Sequence, residues 1–344
     1  MTSTHIKRAD LLLAGFFLAL LCGCSKSKSP VAPDPSPGDR PVQIALSGGV
    51  ARSVASDGVF SSASLPPAGK AVIGSDYAGT LQVAFARLDQ QQDGSWPAYS
   101  AATAPLNATL AAGSGERAIT FSTAQYYLSR NTNNDTRLVG WYPQGSWSAG
   151  RVSFSIDGKT DIMLTQELTG NKTDGSRFGQ SGKVFEFKHQ LTRLNITAYV
   201  DGDAAAAAWG QIETGGIVLK KQTQACAVAL PATVSFGSGS ADLTLLAKTA
   251  ADDTPITYPL SLPAGAENAA ECGYAMIRPV DAGSSVTLAV TTSAGGTYEV
   301  PVTLAEGFKE GYAYDVTLKF TATRIEPTAT IGAWEDGGDV EVIL

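Results

Sequence analysis

The chain has 344 residues and a formal net charge of −7, from 25 Lys and Arg against 32 Asp and Glu. Hydrophobic residues make up 44% and charged residues 17%, with 36 glycines and 17 prolines, and this composition argues against a long helical protein. The acidic balance, without a basic stripe interleaved with aromatic residues, argues against a nucleic-acid partner.

Residues 1–23 are predicted to be a lipoprotein signal peptide. A short basic region precedes the apolar run at residues 11–21, which is too short to span a bilayer comfortably. The run ends in Leu-Cys-Gly-Cys, the pattern of a lipobox, so Cys24 is expected to carry lipid as the first residue of the mature chain. Residues 24–41 are rich in Pro and Ser and predict an extended tether that lifts the protein off its membrane.

Short runs with a period of two dominate the rest of the chain and predict strands. Only residues 201–210, an alanine run preceded by Asp-Gly-Asp, have helical character, over barely two turns. Many short strands separated by turn residues predict an all-β fold of antiparallel sandwiches or barrels. The length suits two domains in tandem, and a polar, Gly-rich loop divides them into residues 42–183 and 184–344. The alternating runs are residues 42–46, 81–88, 151–156, 194–200, 285–292, 297–304 and 313–320.

The sequence gives little indication of chemistry. His189 is the only histidine after the signal peptide, and its alternating strand favours a structural role over a catalytic one. No phosphate-binding loop, nucleophile elbow or paired-His metal motif is present, so no catalytic residue, metal or cofactor is predicted. Cys226 and Cys272 have two alternatives: a disulfide, which suits an oxidising compartment, or two buried free thiols.

The order of several segments resembles the fimbrillin family of Bacteroidetes over nearly the whole mature chain. After the lipobox and tether comes "VQIALSGGVARS", a short strand followed by an arginine. The later segments are "LVGWYP" at 138–143, "VSFSIDGKTDIMLTQ" at 152–166, "FEFKHQLTRLNITAYV" at 185–200, and the closing stretch from "GYAYDVTLKF" to "ATIGAW" at 311–334. Each motif is loose by itself, and their order and spacing carry the resemblance.

The resemblance implies two transthyretin-like antiparallel β-sandwich domains in tandem and a structural role in surface fimbriae, the type V pili. Members are exported as outer-membrane lipoproteins, which here implies anchoring through lipid on Cys24. The implied partners are other fimbrillin subunits, and adhesion implies a ligand on a host or bacterial surface.

The resemblance also implies maturation by an arginine-specific protease and assembly by strand addition. The cut would fall between Arg52 and Ser53, with Arg40 as a second candidate. The discarded strand would have Val42, Ile44 and Leu46 facing inward. A strand from a neighbouring subunit would then fill the groove, and the expected donor residues, which alternate in the segment "DVEVIL", are Val340, Val342 and Leu344.

Two other functions stay open from the sequence. One is a surface glycan-binding or tip-adhesin lipoprotein that does not polymerise, with a tryptophan as a sugar platform; the candidates are Trp96, Trp141, Trp147 and Trp209. The other is a lipoprotein hydrolase whose carboxylate pair meets only in the fold, which we consider the weakest of the three.

Overall fold

The computed structural model describes residues 41–51, 73, 77, 79–128, 134–249 and 253–332, and in these ranges the chain is all-β as predicted. The predicted helical segment forms one short helix, α1 (Asp203–Trp209), between glycines 202 and 210, which both have positive φ. Alanine has the highest helix propensity, and the glycines supply the left-handed backbone at either end. No helix within the described ranges has the length and apolarity needed to cross a membrane.

Ten strands form in the first half of the chain. They are β1 (Leu46–Val50), β2 (Leu81–Asp89), β3 (Thr103–Leu110), β4 (Arg117–Phe121), β5 (Thr136–Tyr142), β6 (Ser146–Ser148), β7 (Arg151–Ser155), β8 (Met163–Leu164), β9 (Leu168–Gly170) and β10 (Phe185–His189).

Seven of these strands close into a barrel. Their order is β2-β3-β4-β1-β10-β8-β5, and β5 pairs back with β2 over Ala84↔Trp141 to Asp89↔Thr136. This half therefore contains a closed barrel, one of the two architectures that the strand pattern predicted, and not the sandwich that the resemblance implied. The expectation of purely antiparallel sheets is also wrong, because β1 runs parallel to β10. Closure leaves no free edge in the ring, which removes the aggregation hazard of an exposed strand.

A cluster of aromatic side chains fills the barrel. Phe85 of β2 lies at its centre and makes edge-to-face contacts with Phe121, Phe185 and Phe187 at centroid distances of 5.7, 5.1 and 6.3 Å. Gly140 faces the Phe85 ring, where an added Cβ would lie 2.6 Å from Cε1. The barrel is therefore a packed core rather than a pore.

Eleven strands follow in the second half. They are β11 (Thr192–Val200), β12 (Gln211–Thr223), β13 (Ala225–Ala229), β14 (Thr233–Phe236), β15 (Ser240–Thr244), β16 (Leu260–Ser261), β17 (Ala270–Ile277), β18 (Ser285–Thr292), β19 (Gly296–Thr303), β20 (Ala313–Phe320) and β21 (Ile325–Gly332).

Two of the sheets in this half form a sandwich. One has the order β17-β11-β20-β21 and the other β15-β12-β18-β19, and inward residues from both share one hydrophobic cluster. The pair β11–β20 is parallel, again unlike the antiparallel expectation. A transthyretin-like topology for the sandwich stays a prediction.

The change from barrel to sandwich does not fall at residue 183. Strand β10, which follows that position, pairs with β1 and β8 of the barrel. Strands β13 and β14 form a small sheet with β7 and β6. A third cluster, which includes Ala84, Val152, Cys226 and Met276, packs barrel strands against this small sheet and against β17. The two halves therefore share buried surface.

Candidate functional site

The candidate site is β1, the strand directly before the predicted cleavage point. It pairs with β4 in antiparallel register, Leu46↔Ile119 and Gly48↔Arg117, and with β10 in parallel register. Backbone hydrogen bonds extend the pairing at both ends, from Ile44 N to the carbonyl of Gln125 (2.8 Å) and from Ala51 N to that of Phe187 (2.9 Å). Regular pairing thus starts at Leu46, later than the predicted run, and reaches the residue next to Arg52.

The inward face of this segment is apolar, as predicted. Ile44, Leu46 and Val50 are 4%, 5% and 6% exposed and belong to the barrel core, and Val42 packs against it half-buried. Burying a side chain of this size stabilises a fold by about 1.5–3 kcal/mol. The segment therefore contributes a substantial part of the barrel's stability although it is short.

Glycines 48 and 49 leave no room for side chains. An added Cβ on Gly48 would lie 2.5 Å from the carbonyl oxygen of Phe185 and 2.7 Å from Cδ1 of Ile119. On Gly49 it would lie 2.7 Å from the carbonyl oxygen of Gly115. Two of these three obstacles are backbone atoms, which cannot move aside as a flexible side chain does. A strand that follows the backbone of β1 therefore needs glycine at both positions.

Arg117 is a buried cation beside β1. It alternates with Ile119 and Phe121, so its side chain is on the inner face of β4, and the residue is 6% exposed. Its Nη1 donates to the carbonyl oxygens of Tyr77 (2.7 Å) and Gly79 (3.3 Å). Nε and Nη2 are buried without a hydrogen-bond partner in the described part of the chain. Burial lowers the pKa of this guanidinium, against the raising effect of Tyr77.

Sequence reasoning missed Arg117, although the signal was present. In "RAITF" the arginine shares a period of two with an isoleucine and a phenylalanine, so it shares their buried face.

Most of the predicted processing residues lie outside the described residues, so their placement stays a prediction. These are Cys24, Arg40, Arg52, Ser53, Val340, Val342 and Leu344.

The two cysteines do not form a disulfide. Cys226 and Cys272 are both free and buried, the first in the cluster around the small sheet and the second in the sandwich core. Burial raises the pKa of the Cys226 thiol to about 11 and that of Cys272 to about 12. Of the two alternatives, the structure contains two buried thiols, which lie in different hydrophobic clusters.

His189 has a structural position. Its Nδ1 lies 2.5 Å from Oδ2 of Asp161, and both side chains are almost fully buried, at 1% and 2% exposure. His189 ends β10, and Asp161 precedes β8, which pairs with β10 at His189↔Met163. The pair therefore joins two neighbouring barrel segments, and the described residues contain no group of three His, Cys, Asp or Glu that could hold a metal ion.

The tryptophans offer little open ring surface. Trp141 and Trp209 are buried, Trp141 donates from Nε1 to the carbonyl oxygen of Gln144, and Trp147 stacks on Trp141 at 5.7 Å. The guanidinium of Arg137 lies 3.9 Å from the centre of the Trp96 ring and covers one face. Two of the four residues expected as sugar platforms are thus core residues.

A fimbrillin-like family model matches residues 95–334 of the chain. No curated protein sequence matches it. The structure is similar to that of a candidate cell adhesion protein from Bacteroides uniformis, with a TM-score of 0.55 and 14% identity, covering 85% of this chain and 98% of that one. A second candidate cell adhesion protein, from Bacteroides ovatus, gives a TM-score of 0.50 and 14% identity with 86% and 98% covered. The tip fimbrial protein Mfa3 from Porphyromonas gingivalis, with a C-terminal truncation, gives 0.44 and 12% with 86% and 100% covered.

Proposed function

Because the chain belongs to the fimbrillin-like family, a non-enzymatic class of cell-surface fimbrial proteins, we propose that it is a fimbrial subunit assembled by donor-strand exchange. In this proposal it is exported as a lipoprotein on Cys24, and a protease cuts between Arg52 and Ser53. The segment containing β1 then leaves the barrel, and a strand from a neighbouring copy replaces it.

The position of β1 is the observation that carries the proposal. A strand in the interior of a closed ring, ending next to a candidate cleavage site, is a part whose loss creates a binding site. Departure of β1 would free the facing backbone groups of β4 and β10 and expose the inner pockets occupied by Ile44, Leu46 and Val50. An unpaired edge with alternating apolar pockets is what an added strand recognises through main-chain hydrogen bonds.

The cut would also change how the protein is attached. Cys24 lies on the N-terminal side of Arg52, so cleavage separates the lipid from the barrel and the sandwich. Uncut subunits would stay on the membrane, whereas cut subunits would be available for assembly. Val340, Val342 and Leu344 are the proposed donor residues, because their alternation matches that of the strand they would replace.

The test uses the full-length chain, purified in detergent and treated with an arginine-specific protease. We expect a new N-terminus at Ser53, release of the body from the lipid, and oligomers that persist in SDS without heating. Arg52→Gln should stay uncut and monomeric, and Arg40→Gln is the matched control that should behave like the wild type. Clean cleavage at Arg52 followed by persistent monomer would refute the proposal.

A further inference from the structure

We propose that the donor segment at residues 335–344 enters the site of β1 in the reverse chain direction, with its glycine pair over glycines 48 and 49 and Asp336 beside Arg117. This inference rests on the proposed function and adds the orientation, the register and the residues that select the partner, which is a second copy of this chain.

The glycine pair fixes the register. The site accepts no side chain at positions 48 and 49, because the added Cβ atoms would meet backbone oxygens of Phe185 and Gly115 at 2.5 and 2.7 Å. The donor segment reads "EDGGDVEVIL", with glycines at 337 and 338 directly before its alternating apolar residues. A donor strand fits the groove only where this pair lies over the glycine position.

The reverse direction places apolar residues in every inner pocket toward the start of the strand. With Gly338 at position 48, Val340 takes the place of Leu46. By the same alternation Val342 takes the place of Ile44, and Leu344 that of Val42. Of the outward positions, the exposed positions 45 and 43 receive Glu341 and Ile343, and the half-buried position 47 receives Asp339.

The forward direction places a carboxylate deeper in the core than the reverse direction does, in which Glu335 falls at position 51, at the end of the strand and outside the core cluster. If the glycine pairs are superposed in the forward direction, Glu335 takes the place of Leu46, in the middle of the aromatic core. Burying a carboxylate there without a partner is strongly unfavourable. In a second forward placement, Val340, Val342 and Leu344 occupy positions 42, 44 and 46. The glycine pair of the donor then lies outside the groove, and the lack of room for a side chain at position 48 plays no part in the fit.

The reverse register also gives Arg117 a partner. Asp336 falls at position 50, on the same inner face and two residues beyond the glycine that pairs with Arg117. Diagonal neighbours on paired strands are about 7–8 Å apart at Cα, within reach of a long side chain. The two guanidinium nitrogens that have no partner while Val50 occupies this position would then donate to a carboxylate. Exchange would thereby replace a valine at the position diagonal to this buried cation with an anion.

Two cysteine pairs distinguish the directions. Gln43 is bridged to Tyr126 on the exposed side of the barrel, so a donor residue at position 43 lies beside Tyr126. The reverse register puts Ile343 there, and the forward placement puts Glu341 there. After cleavage and mild oxidation of the full-length variants, Tyr126→Cys/Ile343→Cys should give an intermolecular ladder on a non-reducing gel. Tyr126→Cys/Glu341→Cys should not, and the opposite pattern would overturn the proposed direction.

The charge pair is tested by assembly rate. Asp336→Asn should slow oligomer formation of the cleaved chain about tenfold or more, since a buried cation is left unpaired. Glu341→Gln, the same kind of change at the exposed position 45, should stay within twofold of wild type. Equal rates for both variants would overturn the role of Asp336. In each experiment the wild type is run in parallel, and its failure to form oligomers would refute the proposed function instead.

Discussion

Leu46→Ala should destabilise the uncut chain and leave the assembled form unaffected. Leu46 is 5% exposed and packs in the barrel core with Ile119, its partner on β4. Truncating a buried leucine to alanine costs about 2–5 kcal/mol of unfolding free energy, through lost transfer energy and the cavity left behind. For a chain of this size that corresponds to a fall in Tm of roughly 3–8 °C. In the proposed exchange Leu46 leaves the barrel, so the substitution should not change the stability of the assembled form.

The assay compares one variant in two states. Thermal and urea unfolding of the uncut full-length chain give the loss of stability, and the temperature at which SDS-resistant oligomers dissociate reports on the cut form. Gln43→Ala, at an exposed position of the same segment, is the matched control and should change the unfolding free energy by less than about 0.5 kcal/mol. If Leu46→Ala lowers the dissociation temperature as much as the unfolding temperature, β1 has not left the barrel and the reasoning fails.

Three further predictions concern the fixed parts of the barrel and the cores. Gly48→Ala should destabilise the uncut chain by about 1–3 kcal/mol, because its Cβ would overlap the carbonyl of Phe185; unchanged urea unfolding would contradict the packing described above. His189→Ala should cost about 1–3 kcal/mol, since it leaves the buried Oδ2 of Asp161 without its hydrogen-bond partner, and unchanged unfolding by the same measurement would count against this buried hydrogen bond. Cys226 and Cys272 should resist a thiol reagent at pH 8 and react only on unfolding, because burial raises their pKa values to about 11 and about 12; rapid labelling of the native chain would disprove this.

Local patterns in the sequence were enough to predict several individual strands. The alternating runs at 81–88, 285–292 and 313–320 correspond to β2, β18 and β20, and the alanine run forms α1. Such patterns depend on neighbours along the chain, which propensity and periodicity describe directly. The inward face of the first strand could be predicted for the same reason.

Pairings between distant strands could not be predicted in this way. The barrel closes because β5 returns to β2, and no residue in either strand marks that choice in a single sequence. The partner of His189 was equally hidden, since Asp161 reads locally as one of several loop carboxylates. The sequence could not decide whether Cys226 and Cys272 form a disulfide, because their separation along the chain does not give the distance between them in the fold.

In the proposed assembly, the closed barrel would keep the chain from binding donor strands before processing. An open groove would present unpaired backbone and apolar pockets to any extended segment. Here β1 fills that position from within the same chain, so its local concentration is high and other strands are excluded. Once the bond after Arg52 is cut, β1 loses this advantage, and a donor can compete on its own contacts. With Val50 at the position diagonal to Arg117, two guanidinium nitrogens have no hydrogen-bond partner among the described residues, whereas Asp336 would satisfy them in the proposed register. At this one position β1 would therefore make less favourable contacts with the barrel than the donor strand. This difference in binding would favour exchange only after cleavage has removed the covalent connection between β1 and the barrel.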